Sequence, residues 1–345
     1  MVCSQKNTHI KIKLKKLNQA LLVLNLFFLQ SYLIRFDIFT YPSNLQEVLI
    51  GINFLLLLMH LGFKNTFSQL KKSWILSSII ALTTFSVVAT LTIKDNIETI
   101  ALLRNLKFVF FASLLYLITI TSTKNQKQLY HHLEIMSYGA LSFGIFSVIY
   151  NLLGFNLTHD LRLNGPLDSA LYLAFYLSPF LLFNAHKLIN KFERKTLASV
   201  LAFSALIIAT KSMGAIAANA AIIGGYLIWE KAKFIKNSKA SQALIAGVLI
   251  IISASIFYTK ILPTINTNYS SLDERGQIWA TTTQLLSQPE NAILGLGFGQ
   301  FETQYSSNAE KILGTPPLDP NNQHPHNIFL LFFSQFGIIG LAFIS

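Results

Sequence analysis

The feature that most constrains this chain is a repeated apolar run of about 15 to 21 residues, set off each time by a short polar segment. A helix rising 1.5 Å per residue needs about 20 residues to cross roughly 30 Å of hydrocarbon. The runs fall at 18–34, 45–63, 73–93, 100–120, 133–153, 166–185, 196–209, 215–229, 241–258 and 327–345. Inside a bilayer every backbone N–H and C=O must find a partner within the protein, so runs of this kind fold as helices. The expected fold class is therefore all-α: a polytopic membrane protein with about ten transmembrane helices. These would form a single integral membrane domain over 1–345, with one long periplasmic loop at 259–325.

Composition agrees. Of 345 residues, 52% are hydrophobic and 12% charged, where a soluble domain carries roughly 25% charged residues. The one cysteine, Cys3, excludes an internal disulfide and any Cys-based metal site. The basic N-terminus leads into an apolar run with no small-residue cleavage site after it, so that run reads as a first membrane helix and not as a removed signal peptide.

The net charge of +12 would ordinarily raise nucleic acid as a partner. Its distribution argues against that. Two thirds of the 27 basic residues lie in five alternate segments. These hold Lys6, Lys11, Lys13, Lys15 and Lys16; Lys64, Lys71 and Lys72; Lys124 and Lys127; Lys187, Lys191, Arg194 and Lys195; and Lys231, Lys233, Lys236 and Lys239. The intervening segments hold only Arg35, Lys94, Arg162, Lys211, Lys260, Arg275 and Lys311, and Arg104 and Lys107 lie within a run. Cytoplasmic loops of membrane proteins carry the excess of Lys and Arg. The expected placement is a bacterial inner (plasma) membrane, multi-pass, with the N-terminus cytoplasmic and no nucleic-acid partner.

The longest polar segment, 259–325, then faces outward. Segments of that length are functional or disordered. Trp279 and the helix-like stretch 275–286 favour folded structure. Arg275 opens Arg-Gly-Gln-Ile-Trp, and reads either as a solvated or headgroup arginine or as a functional cation. At the far end, His324-Pro-His-Asn meets the last apolar run. A pair of histidines admits a metal reading, but only Asp319 stands nearby as a further ligand, so no metal is expected. A histidine there is otherwise a general base, its pKa lying near neutrality, or an interfacial side chain that tolerates water.

Gly295-Leu-Gly-Phe-Gly-Gln-Phe lacks the spacing of a dinucleotide fingerprint and reads as a tight turn allowing close backbone packing. Thr210-Lys-Ser-Met-Gly reads as a tight outer turn. Arg104 and Lys107 share a face of their run, either snorkelling to headgroups or serving a site. The cations not explained by orientation thus gather on the outer side. Such a set suits an anionic, lipid-linked substrate, a diphosphate above all, because arginine binds phosphate oxygens in pairs.

These residues resemble a known family. Arg275-Gly-Gln-Ile-Trp, Gly295-Leu-Gly-Phe-Gly-Gln-Phe, His324-Pro-His-Asn-Ile-Phe-Leu and Gly337-Ile-Ile-Gly-Leu, in that order, look like the core of the O-antigen ligase and polymerase superfamily. Leu161-Arg-Leu-Asn-Gly-Pro and Thr210-Lys-Ser-Met-Gly-Ala look like its two upstream motifs. The resemblance implies a multi-spanning helical glycosyltransferase. Its donor would be a glycan on undecaprenyl diphosphate, its acceptor a lipid A-core sugar, its other partners membrane lipids, with neither cofactor nor metal. Carried over residue by residue, it makes His326 and Arg275 catalytic. The family's upstream arginine falls on Arg162, which with Lys211 and Arg104, cations taken from their outer placement, would bind the substrate diphosphate, with His324 and Asn327 in support.

The chain departs from the family pattern in three places. Ser212-Met213 stands where the family has a Ser-Arg pair, and Gln335 where an acidic residue is frequent. Members also continue through about two further spans, so a chain ending at Ser345 reads as C-terminally truncated. The alternatives are a surface-polysaccharide polymerase, a membrane transporter, or an inactive truncated scaffold. A transporter would place its site near the bilayer midplane, whereas these cations lie toward the surface.

Overall fold

The computed structural model describes residues 2–38, 41–93, 97–158, 161–235 and 271–344. The expected span at 241–258 and the first part of the long polar segment lie outside the described residues. The N-terminal elements are α1 (Val2–Phe27), β1 (Arg35–Ile38), β2 (Tyr41–Asn44), α2 (Leu45–Leu61) and α3 (Phe63–Lys72). Next come α4 (Trp74–Ile93), α5 (Thr99–Ser122), α6 (Gln126–Leu152), α7 (Ala170–Asn190), α8 (Arg194–Ala209) and α9 (Met213–Ile235). Then follow α10 (Ser271–Leu286), α11 (Pro289–Leu294), α12 (Phe301–Leu313) and α13 (Ile328–Ile344). Among the described residues the chain is thus helical, with one small antiparallel hairpin.

Among the described residues three helices are long and apolar enough to cross a membrane: Trp74–Thr92, Thr99–Ser122 and Gln126–Leu152. The bent pair of α2 and α3 would add a fourth if taken as one span. The helices also carry the polarity of a lipid-facing protein. In α2, Asn53 is fully buried while Leu55 and Met59 are exposed; in α5, Phe108 is 74% exposed. In water that arrangement would be inverted. In hydrocarbon it is favourable, because amides need protein partners and leucine does not. The chain is a membrane protein on these grounds.

The chain forms two compact units. The first comprises Met1–Leu56 and Ser122–Asn266, the second Leu57–Thr121 and Thr267–Ser345. In the first unit, α1 and α2 are joined by buried amides. Asn25 Nδ2 donates to Asn53 Oδ1 (3.2 Å) and Asn53 Nδ2 donates to Asn18 Oδ1 (2.8 Å). Helix α1 also crosses α6 so closely that a Cβ on Gly139 would overlap the Phe27 carbonyl oxygen. Helices α6 to α9 surround an apolar core containing Phe143, Leu173, Leu177 and Phe203. Asn184 Nδ2 donates to Ser137 Oγ and Asn219 Nδ2 to Ser178 Oγ, both at 2.7 Å, tying α7 to α6 and α9.

Element ends follow local chemistry. Asn125 caps α6 by accepting from the Gln128 N–H (3.0 Å), and Ser169 caps α7 through the Leu171 N–H. The latter sets the start of α7 four residues later than the expected span. Two differences are larger. After α1 the chain makes a 3-10 turn (Leu29–Leu33) and the β1–β2 hairpin, where a span to residue 34 and a simple loop were expected. The segment 64–72, expected as a plain connector, is helical.

In the second unit, residues 271–325 are folded, with three helices among them. Ile278, Leu285 and Leu286 of α10 pack with Leu296, Phe301, Tyr305 and Ala309 around α12. The glycine turn at 295–299 is a crossing point, as its spacing predicted. All three of its glycines have positive φ. A Cβ on Gly295 would lie 2.6 Å from Ser334 O, and one on Gly299 2.8 Å from Asn105 Nδ2. Phe298 N–H donates to Thr90 Oγ1 of α4, and Gly299 N–H to Gln335 Oε1 of α13, both at 2.8 Å. Ser86 Oγ of α4 donates to the Gln335 carbonyl (2.6 Å). Helix α13 breaks at Gly337 (φ 62, ψ −155), where its backbone meets the end of α11.

Candidate active site

The histidine segment is tied to α10 at two points. Trp279 Nε1 donates to Pro325 O (2.8 Å), and the Leu318 N–H donates to Gln277 Oε1 (3.0 Å). Arg275 precedes Trp279 by four residues and therefore shares its side of the helix. Local polar contacts shape the segment itself. Asp319 Oδ1 accepts from Asn321 N–H and Asn322 Oδ1 from His324 N–H, both at 3.2 Å. Asn327 then caps α13, its Oδ1 accepting from the Phe329 and Leu330 N–H groups (2.9 and 3.3 Å). That cap starts α13 immediately after His326.

His326 stands just before that cap with φ +49°. A residue with a branched or ring-bearing side chain adopts this left-handed backbone at a cost of about 1–3 kcal/mol, and such positions cluster at functional sites. Its ring centroid is 4.4 Å from that of His324. Burial lowers the pKa of both rings. His324 is pushed down further by His326, and His326 by the Arg275 guanidinium, against an opposing pull from Asp319. His326 is thus held as a neutral imidazole with an arginine in its field, while part of it stays open to solvent. A neutral imidazole can take a proton, and a nearby guanidinium can hold the negative charge that such a step creates elsewhere. Among the described residues no cluster of three or more metal-type ligands includes these histidines.

Arg104 lies in the same unit on α5, where its Nη2 is 3.7 Å from Glu302 Oε2 of α12, largely exposed. Around it the start of α5 is fastened to α12. Glu98 N–H donates to Gln300 Oε1 (2.8 Å), and Thr303 Oγ1 donates to Glu98 Oε2 (2.6 Å). Arg162 and Lys211 belong to the first unit and are brought to one end of it. Leu163 N–H, beside Arg162, donates to Ala209 O at the end of α8 (3.0 Å), one turn from Lys211. The loop holding Arg162 is well fixed: Arg162 N–H donates to Thr158 Oγ1 (2.7 Å) and Asn156 Nδ2 to Gly165 O and Leu167 O, both at 2.8 Å. Lys211, at φ +52°, occupies the tight turn expected at 210–214.

Tyr305 of α12 and Glu274 of α10 were not singled out by spacing. Tyr305 is fully buried, and its hydroxyl has no hydrogen-bond partner among the described residues. Burial, then Asp319 and Glu274, hold its pKa above the usual phenol range, so it stays a donor. Glu274 and Asp319 thus act on Tyr305 from two chain segments. Only the pairing of α10 with the 314–327 segment joins them, and no local pattern signals it.

No curated protein and no solved structure gives a significant match to this chain. A protein-family model described as O-Antigen ligase matches residues 197–345, which include Lys211, Arg275, His324, His326 and Asn327. That stretch, which carries the histidine segment, α10 and the glycine crossing, is therefore similar to the O-antigen ligase family.

Proposed function

We propose that this protein is an inner-membrane glycosyltransferase working at the periplasmic face. It would move a glycan from undecaprenyl diphosphate to a lipid A-core sugar. His326 accepts the proton of the acceptor hydroxyl as that oxygen attacks the anomeric carbon. A carbon–oxygen bond forms there, the bond to the diphosphate oxygen breaks, and the electron pair leaves with the diphosphate. Arg275 stabilises the charge that builds on this leaving group. Arg162, Lys211 and Arg104 contribute cations for the diphosphate, while His324 and Asn327 hold the segment in shape. The reading places about ten spans in the membrane with a cytoplasmic N-terminus, as the charge pattern implies.

The observation that carries this reading is the juxtaposition of a neutral, strained His326 with Arg275 inside the family-matched region. The test is complementation of cells lacking the gene. His326→Ala and Arg275→Ala should each abolish attached surface glycan while the protein still inserts in the membrane. Wild-type glycan ladders from either variant would sink the assignment. The null cells separate ligase from polymerase. Loss of all attached glycan with lipid-linked polymer accumulating supports transfer to the core; a core bearing a single repeat would make the protein a polymerase.

A further inference from the structure

Helix α3 differs from the apolar helices on either side of it. Leu45–Leu61 and Phe63–Leu70 meet at a bend of 113° around Gly62, whose φ is +79°. Helix α2 at 17 residues already covers about 25 Å, most of a hydrocarbon layer. Helix α3 cannot continue the crossing, because its ten residues include Lys64, Lys71 and Lys72 with Asn65, Ser68 and Gln69 between them. Its apolar residues fall on one side: Phe63, Phe67 and Leu70 follow the i, i+4, i+7 rule. Thr66, nearby on the wheel, is fully buried. Phe63 is nevertheless 69% exposed, and its ring lies 4.3 Å from that of Phe67, tilted by 32°. An uncovered aromatic pair flanked by lysines, on a helix turned across its predecessor, is the arrangement of a helix lying in the bilayer interface.

A second observation lies beside it. A groove of about 310 Å³ is lined by Gln69, Ser73, Trp74, Ile75, Tyr116 and Ile120. Trp74 is 72% exposed at the start of α4, and Ser77 Oγ donates to Leu70 O (3.2 Å), locking α3 against α4. The groove therefore has two aromatic residues of the interfacial kind at its mouth and isoleucines on its wall.

We propose that α3 and this groove form a binding site for one anionic phospholipid, its headgroup at the C-terminal end of α3 and its glycerol and upper acyl chain against Trp74, Tyr116 and Ile120. Charge complementarity selects the occupant, since a zwitterionic lipid gains little from three lysines in ten residues. The site is separate from His326 and does not depend on the transfer reaction.

Native mass spectrometry of the full-length chain in detergent tests it, with dioleoyl phosphatidylglycerol, dioleoyl phosphatidylcholine and inorganic phosphate as probes. Phosphatidylglycerol should be retained and phosphatidylcholine stripped. The triple variant Lys64→Gln, Lys71→Gln, Lys72→Gln should lose about tenfold in phosphatidylglycerol retention, and Trp74→Ala with Tyr116→Ala should weaken it independently. Should the triple variant not fold, Lys64→Gln alone should reduce retention by at least twofold. Equal retention of both lipids, unchanged retention by the variants, or displacement of the lipid by millimolar inorganic phosphate would overturn the proposal. Because no donor glycan is present, none of these outcomes bears on the transferase reading.

Discussion

His326 combines a costly backbone with a neutral ring, and each has a measurable consequence. Its pKa lies below the usual imidazole value of about 6.5, because burial and Arg275 both disfavour the charged form. The base form therefore persists to lower pH than an exposed histidine allows. The acidic limb of a transfer-rate profile should fall below that value, as a property of the His324–His326 pair and not of one ring. Asp319 pulls the other way, raising the His326 pKa. Asp319→Asn removes that pull, so the limb should move to still lower pH. A limb that stays put or moves up would remove Asp319 from the field of the base. At this scale His326 and Arg275 could be picked out from the sequence, since each sits in a short local pattern. Tyr305 and Glu274 were not, because their significance comes from the packing of α10 against segments further along the chain.

At the scale of elements, the glycine crossing gives the clearest test. A Cβ on Gly337 would overlap the carbonyl of Ile293, at a φ of +62° that alanine accepts only with strain. The obstacle is backbone and cannot rotate away. Gly337→Ala should cost several kcal/mol, in the range reserved for backbone strain and overpacking, and should show as a large fall in the thermal transition of the purified protein. Gly51 is the internal control. It lies within α2 with nothing near its would-be Cβ, so Gly51→Ala should be neutral or stabilising by up to about 1 kcal/mol. Equal transitions for the two variants would contradict the crossing. The turn itself was readable from Gly295-Leu-Gly-Phe-Gly. Its partners on α4 and α13 were not, since Ser86 and Thr90 look like ordinary polar residues of an apolar run until Gln335 and Phe298 are brought to them. The β1–β2 hairpin and the helicity of 63–72 escaped for a different reason. Both lie where apolar periodicity stops, and short polar segments take their shape from packing.

At the scale of the whole molecule, the alternation of basic and non-basic segments makes a claim that contacts within each unit can test. Segments assigned to one side should meet only one another. In the second unit Glu98, from the short segment before α5, meets Gln300 and Thr303 of the long one, and both are poor in basic residues. In the first, the Arg162 loop meets the turn after α8, again two poor segments, while Lys187 Nζ reaches Glu134 Oε1 (2.6 Å) between two rich ones. Contacts of this kind support the alternation but are symmetric to inversion; the sign rests on the positive-inside rule alone. Reporters decide it. A fusion at Asn65, in α3, should read cytoplasmic and one at Asn308, in α12, periplasmic, in the same unit and with the helices between them intact. The reverse would put His326 and Arg275 on the cytoplasmic side. That outcome would overturn the proposed transfer at the periplasmic face.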